Sequence, residues 1–217
     1  GGHTGEGAEL ALGFAINGLV DETLSNILQK GGMRPGNALI LTKPIGTGTL
    51  FAAHARLQAA GRWIDAALDS MQVSNRAAVP CLAAHGASAC TDLTGFGLLG
   101  HLLEMTRASG VDAEIELAAL PVLDGAVDTV LAGIFSSLQA ANLKLGRVLQ
   151  NPQAFVKHPH FPLLFDPQTA GGLLASVPAD SVEACLAELR RLGYSKAVRI
   201  GRVLAQGESL ESIRLIA

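Results

Sequence analysis

Short apolar runs of strand length alternate with helix-length segments along most of this 217-residue chain. Strands are predicted at residues 38–41, 87–93, 111–117, 171–177 and 197–203. No strand is predicted after residue 203. Helices are predicted at residues 49–60, 63–71, 75–85, 98–109, 123–131 and 180–192. This order favours a mixed or parallel sheet covered by helices over a helix bundle or a β-sandwich. No regular element is predicted for residues 133–162.

Polar residues and glycines add detail at the ends and faces of these elements. Thr49 is predicted to cap the first helix and Asp180 or Ser181 the last, while Gly110 ends the fourth. In residues 111–117 acidic side chains alternate with apolar ones. That alternation predicts a strand with one face in solvent.

Composition excludes several classes of partner. A net charge of −3 with 16% charged residues gives no basic surface for nucleic acid, and no apolar run reaches the roughly 18 residues of a membrane span. Cys81, Cys90 and Cys185 form no Cys-x-x-Cys pair, which argues against a disulfide framework and a zinc knuckle, and no histidine shows metal-ligand spacing. We therefore expect a cytoplasmic protein with no nucleic-acid and no membrane partner.

The beginning of the chain predicts a piece of a longer protein. Large and small apolar residues alternate over residues 9–17, which predicts a strand without a partner nearby in the sequence, and no initiator methionine is present. We expect residues 1–20 to be the remnant of an N-terminal domain and residues 21–217 to form one C-terminal domain. Residues 1–7 are rich in glycine, which suits either close approach to a polyphosphate or a frayed terminus.

Asp92 is the strongest candidate for chemistry. It lies at the carboxyl end of a predicted buried strand, where we expect its carboxylate to be exposed in a cleft, and precedes a glycine turn and a helix in the segment CTDLTGFG, residues 90–97. Ligands of open sheets gather at such edges, a carboxylate oxygen can bind Mg²⁺, and main-chain N–H groups of the turn can face a phosphate. The alternative is that Asp92 or Thr94 caps the helix, which is the commoner role on the local pattern alone.

A second loop, DPQTAGG at residues 166–172, joins a rigid turn to hydroxyl and amide side chains and a glycine pair. It suits a ligand-binding loop and a tight structural loop equally well. The sequence contains no P-loop, nucleophile elbow or HExxH helix. Cys81 and Cys90 have no evident base partner, so buried, inert thiols are the favoured interpretation, and His101 on an apolar helix face is predicted to be a core or boundary residue.

Five segments together resemble the selenophosphate synthetase (selenide, water dikinase) family. They occur in that family's order: GGHT at residues 1–4, ELALG at 9–13, TKPIGTG at 42–48, CTDLTGFGLLGH at 90–101 and DPQTAGGLL at 166–174. The resemblance implies an α+β domain with a mixed β-sheet flanked by helices, like the C-terminal domain of aminoimidazole ribonucleotide synthetase. It also implies a homodimeric enzyme that converts ATP, selenide and water to selenophosphate, AMP and phosphate with Mg²⁺.

The same resemblance assigns site residues. Asp92 matches the family's magnesium-binding aspartate, and Gly1, Gly2, His3 and Thr4 match the segment that contacts the ATP phosphates across the dimer. The family's N-terminal loop, with its cysteine or selenocysteine and its lysine, has no counterpart here, and neither do its other metal-binding aspartates. The chain alone is therefore predicted to be inactive.

Two alternatives to a selenophosphate synthetase are another ATP-dependent enzyme with the same fold and a module without catalytic activity. A thiamine-monophosphate kinase or a hydrogenase-maturation protein would have the same fold and use ATP, although the segments at residues 90–101 and 166–174 fit them less well. A non-catalytic docking or regulatory module is the other possibility.

Overall fold

A computed structural model describes residues 27–217. The predicted strand at residues 9–17, the glycine-rich opening and the domain boundary near residue 20 lie outside the described residues. The strands are β1 Ala38–Leu41, β2 Ala89–Asp92, β3 Asp112–Glu116, β4 Leu173–Val177, β5 Val198–Leu204 and β6 Ile213–Ile216. The helices are α1 Thr47–Ala55, α2 Gly61–Gln72, α3 Ala78–Ala84, α4 Gly97–Ser109, α5 Ala126–Leu131, α6 Gln139–Asn142 and α7 Val182–Arg191.

The strands of residues 27–217 form one six-stranded sheet in the order β2-β4-β1-β5-β3-β6. Four of its five pairings are antiparallel, and β6 alone runs parallel to its neighbour β3. The sheet is therefore mixed, as the α+β prediction requires. Within residues 27–217 the five predicted strands and the six predicted helices are all present, with ends displaced by a few residues.

Strand β1 lies at the centre of the sheet and is buried on both faces. Leu39 and Leu41 belong to the larger core, which α4 and residues of α1, α2 and α5 cover. Ala38 and Ile40 point the other way, into the core formed with α3 and α7. Since successive side chains of a strand alternate between faces, four consecutive apolar residues are what a strand between two helical layers requires.

Several details of the helix ends differ from prediction. Helix α1 begins at Thr47, after Gly46 in a positive-φ conformation, and Thr49 is buried inside the helix instead of capping it. Its hydroxyl donates to the Ile134 carbonyl at 2.7 Å, so tertiary contact has replaced the predicted cap. Helix α7 has no side-chain cap from either candidate. Gly110 does end α4, in the left-handed conformation.

Strand β3 is not half exposed. Glu114 is 4% exposed, and its carboxylate accepts hydrogen bonds from Arg202 of β5 and Arg214 of β6, each Nε at 2.9 Å. The prediction was wrong because both arginines come from strands far away in sequence, one of them the unpredicted β6. Pairing with these guanidinium groups makes burial of the Glu114 charge tolerable.

Residues 133–162, which have no assignment from the sequence, are mostly irregular and contain α6 with short 3-10 turns at Leu143–Val148 and Pro152–Ala154. The longest helix of the described residues, α4, has 13 residues. None of the described helices has the length and apolar character to cross a membrane.

Candidate functional site

Three of the motif segments meet at one edge of the sheet. Strands β1 and β2 run in the same direction and end there, while the antiparallel β4 between them begins there. The register pairs Leu41 with Leu174 and Asp92 with Leu173. The loops at residues 42–48, 93–96 and 166–172 therefore come together although more than 40 residues separate each from the next.

Gln168 fastens these loops to one another. Its side-chain oxygen accepts hydrogen bonds from the N–H groups of Gly46 and Thr47 at 3.0 and 3.2 Å and from the Thr47 hydroxyl at 3.1 Å. Its side-chain nitrogen donates to the Asp166 carbonyl at 2.8 Å, and its own N–H donates to the Thr94 carbonyl at 2.9 Å. The first N–H groups of α1 are thus satisfied internally, so this helix start does not offer them to a phosphate.

Two glycines allow the loops at residues 42–48 and 166–172 to pack closely against each other. A Cβ on Gly48 would lie 2.5 Å from the Pro167 carbonyl oxygen, and one on Gly172 would lie 2.6 Å from the main-chain nitrogen of Lys43. Both distances are far below van der Waals contact, so only glycine fits. Loop 166–172 is therefore a tight structural loop, and it also lines the groove described next.

Lys43 and Ala170 add a strained element to the loop. Ala170 has a φ of 49°, a left-handed conformation that non-glycine residues rarely adopt. The ammonium group of Lys43 is buried and donates to the Ala170 carbonyl at 3.0 Å and to the Ser70 carbonyl at 3.2 Å. Burial lowers the pKa of Lys43. Strain of this kind persists only where surrounding contacts hold it, often at functional sites.

A groove of about 900 Å³ opens beside these loops. Thr47, Gly48, Gly95 and Thr169 from the motifs line it together with residues 135–138, and Arg56 is the charged side chain on its wall. Its volume falls in the range of small-molecule sites, about 300–1,000 Å³. The predicted sequence motifs supplied about half of this wall. Arg56 was missed because nothing in its local sequence distinguishes it from a solvated helix-end arginine.

Asp92 does not line that groove. It is exposed at the end of β2 and borders a separate, shallower cavity of about 520 Å³ together with Lys30, Cys90 and Thr91. No other residue in the 27–217 range donates a hydrogen bond or forms an ion pair to its carboxylate. The carboxylate is therefore available to an external ligand.

The capping alternative for Asp92 and Thr94 is wrong. Helix α4 follows Phe96 without any side-chain cap. Instead, the Thr94 N–H donates to Nε2 of His101 at 3.0 Å, which fixes the glycine turn against the helix. His101 is buried, as predicted for a core or boundary residue, and burial lowers its pKa.

Asp166 is the buried acid of the site. Its Oδ2 accepts hydrogen bonds from the Gly48 N–H at 3.1 Å and from the Gln168 side chain at 3.0 Å. Its Oδ1 is buried without a partner among the described residues. Burial raises the pKa of Asp166 to about 7, against the smaller opposing effect of these hydrogen bonds. Sequence reasoning placed Asp166 in the loop but had no signal for its complete burial.

The cysteine thiols of the described residues are buried, as predicted for Cys81 and Cys90. Cys81, Cys90 and Cys185 are all free and buried. Burial, with a smaller contribution from the Asp92 charge, raises the pKa of Cys90 to about 12. Since the thiolate is the nucleophile, a thiol held protonated does not attack a substrate.

Comparison with known families identifies the domain. The family described as AIR synthase related protein, C-terminal domain, matches residues 34–212. The chain belongs to this family. Among its relatives is a selenide, water dikinase of Geobacter metallireducens, which is 39% identical over 208 residues, 96% of this chain and 60% of the relative. That of Clostridioides difficile is 34% identical over 212 residues, 96% and 59% respectively. The chain thus spans about 60% of the length of these relatives.

Solved structures confirm the fold of the AIR synthase related domain. A hydrogenase maturation protein HypE superposes with a TM-score of 0.63 at 21% identity, over 90% of this chain and 52% of that protein. A thiamine-monophosphate kinase from Stenotrophomonas maltophilia gives 0.56 at 18% identity, over 88% and 53%. These are the two kinds of relative expected to share the fold. Their sequence identities to this chain, 21% and 18%, are lower than those of the two selenide, water dikinases, 39% and 34%.

Proposed function

We propose that this chain is the C-terminal part of a selenophosphate synthetase, which makes selenophosphate from selenide, ATP and water and releases AMP and phosphate. The observation that carries the proposal is the 39% identity to a selenide, water dikinase across 96% of the chain. The convergence of three motif loops at one sheet edge supports it, since these loops belong to three of the five segments that resemble the family. In this proposal residues 21–217 are the C-terminal domain.

ATP is the proposed nucleotide. A crystal structure of hydrogenase maturation protein HypE in complex with ATP has the same fold, with a TM-score of 0.62 at 20% identity. Gly1, Gly2, His3 and Thr4, which lie outside the described residues, are proposed to contact its phosphates across a homodimer. Glycines at such positions allow main-chain N–H groups to approach phosphate oxygens closely.

Mg²⁺ fits Asp92 as one ligand. The carboxylate is exposed and carries no competing hydrogen bond or ion pair from residues 27–217, and hard carboxylate oxygens are what Mg²⁺ prefers. Among the described residues Asp92 belongs to no group of three or more potential metal ligands. The remaining ligands would be water, nucleotide phosphates and groups outside the described range. When bound, the metal would neutralise charge on the phosphates.

In this proposal Gln168 and His101 position the loops of the site and take no part in the reaction. Gln168 holds the start of α1 against the Thr94 turn, and His101 holds that turn from the helix side. The proposal therefore assigns Asp92 a direct role and Gln168 and His101 supporting ones. Arg56 gives the groove a positive charge that suits an anionic reactant or product.

The test is selenide-dependent product formation by the protein that contains this chain. Incubated with ATP, Mg²⁺ and selenide, it should give selenophosphate in a ³¹P NMR spectrum together with AMP, and omission of selenide should abolish selenophosphate. The 217-residue chain alone should give none, because it carries one proposed metal ligand and no nucleophile loop. ATP consumption that ignores selenide but responds to thiamine monophosphate would assign the protein to the kinase relatives instead.

A further inference from the structure

Two cysteines and a histidine meet between helices α3 and α7. Cys81 lies in α3, His85 directly follows that helix, and Cys185 lies in α7. Their ligand atoms, one from each side chain, all lie within 4.8 Å of one another. Sequence spacing shows no sign of this cluster, because Cys185 is about 100 residues away from the other two.

The helices present these side chains at chelating intervals. Cys81 and His85 are four residues apart, and Cys185 is three residues from Glu188, so each pair occupies one face of its helix. The Cys81 sulfur lies 3.9 Å from Nδ1 of His85, and Nε2 of His85 lies 3.8 Å from the Glu188 carboxylate. Both cysteines are buried, whereas His85 is partly exposed, which leaves a way in for an ion.

These distances are close to those of a tetrahedral thiolate–imidazole site. With Zn–S bonds of about 2.3 Å, two sulfurs of a tetrahedral centre stand about 3.8 Å apart. The present cluster therefore needs side-chain movements of about 1 Å or less to close around an ion, which rotamer adjustment supplies.

We propose that Cys81, His85 and Cys185 form a binding site for a soft divalent metal ion of the Zn²⁺ class. The site has three protein ligands, and water occupies the fourth position. It is independent of the proposed selenophosphate chemistry, since none of its residues lines the groove or the Asp92 cavity.

The donor set matches such an ion in charge. Zinc binds cysteine as the thiolate, so binding would release the protons of Cys81 and Cys185, and the two thiolates would neutralise the divalent charge in the interior. In the metal-free site Nδ1 of His85 donates to the Cys81 carbonyl at 2.9 Å. Metal binding through Nδ1 would release this contact and move the ring proton to Nε2, which faces the Glu188 carboxylate at 3.8 Å.

Cobalt titration of the reduced, chelator-treated 217-residue chain tests the proposal. One equivalent of Co²⁺ should produce a thiolate-to-metal charge-transfer band and intense tetrahedral visible bands, and Zn²⁺ should displace it. Cys81→Ser and Cys185→Ser should each weaken binding at least about a hundredfold, since even loss of an outer-shell partner costs ten- to a hundredfold. Cys90→Ala, which removes the remaining thiol, should bind Co²⁺ normally.

X-ray absorption of the zinc-loaded wild-type chain provides a measurement that does not depend on the folding of any variant. It should show two sulfur scatterers at about 2.3 Å with the remaining ligands nitrogen or oxygen. Absence of cobalt bands, or a zinc shell without sulfur, would overturn the proposal. So would a charge-transfer band that survives in a folded Cys185→Ser chain, because binding would then occur elsewhere.

Discussion

Replacing Asp166 with asparagine should change how the stability of the protein depends on pH. Burial raises the pKa of Asp166 from its usual 3.8 to about 7 in the folded state. Between these values the folded protein holds a proton that the unfolded chain has released, so stability falls as pH rises and is lowest above pH 7. At about 1.4 kcal/mol per pKa unit, the full penalty above pH 7 approaches about 4 kcal/mol.

The introduced asparagine cannot ionise, so the Asp166→Asn protein should lack this dependence. Its side-chain oxygen can still accept from the Gly48 N–H and from Gln168, while its amide nitrogen takes the place of the unpartnered Oδ1. A buried donor without a partner costs about 1–3 kcal/mol at every pH. The difference in unfolding free energy between variant and wild type should therefore shift by about 3 kcal/mol in favour of the variant between pH 5 and pH 8.

Urea unfolding at pH 5, 6, 7 and 8 measures that shift. Histidines such as His101 titrate in the same range, but they are present in both proteins and cancel in the difference. Asp65→Asn, at an exposed carboxylate of α2, is the matched control and should run parallel to wild type. Parallel curves for Asp166→Asn and wild type would refute the assignment of a buried, proton-retaining Asp166.

Two further substitutions test the packing of the site and of the sheet. Gly48→Ala should destabilise by about 1–3 kcal/mol because its Cβ would overlap Pro167, whereas Gly61→Ala, with open space around it, should be neutral or stabilising in thermal unfolding. Glu114→Gln removes the buried carboxylate shared by two half-exposed arginines and should cost about 1.5–3 kcal/mol, whereas Glu116→Gln, at a partly exposed ion pair, should cost less than about 1 kcal/mol in urea unfolding.

Local sequence pattern was sufficient for most of the fold. The run at β1 predicts a strand buried on both faces because each of its residues must meet an apolar layer, and the structure confirms this. Gly110 ends α4 in the left-handed conformation, which glycine adopts readily, so this helix end could be predicted from a single residue. Strand β6 was missed because four residues after an irregular loop carry too little periodicity to distinguish a strand.

Features that depend on distant residues were beyond the reach of that pattern. Glu114 appears in sequence as a solvent-facing acid, and only the pairing of β3 with β5 and β6 brings two arginines to it. Complete burial of Asp166 and the approach of Cys185 to Cys81 likewise arise from packing between segments. The prediction that Asp92 stands exposed at a strand end succeeded because a strand and its following turn fix it locally.

Activity of an Asp92→Asn variant of the complete protein tests the central claim most directly. The change keeps the shape of the side chain but removes the charge that a magnesium ion requires. Selenophosphate formation followed by ³¹P NMR should fall to background while the unfolding free energy changes by less than about 1 kcal/mol, as expected for an exposed residue without internal partners. Asp65→Asn should retain full activity. A folded Asp92→Asn protein with wild-type turnover and unchanged magnesium dependence would contradict the assignment of Asp92 to the metal site.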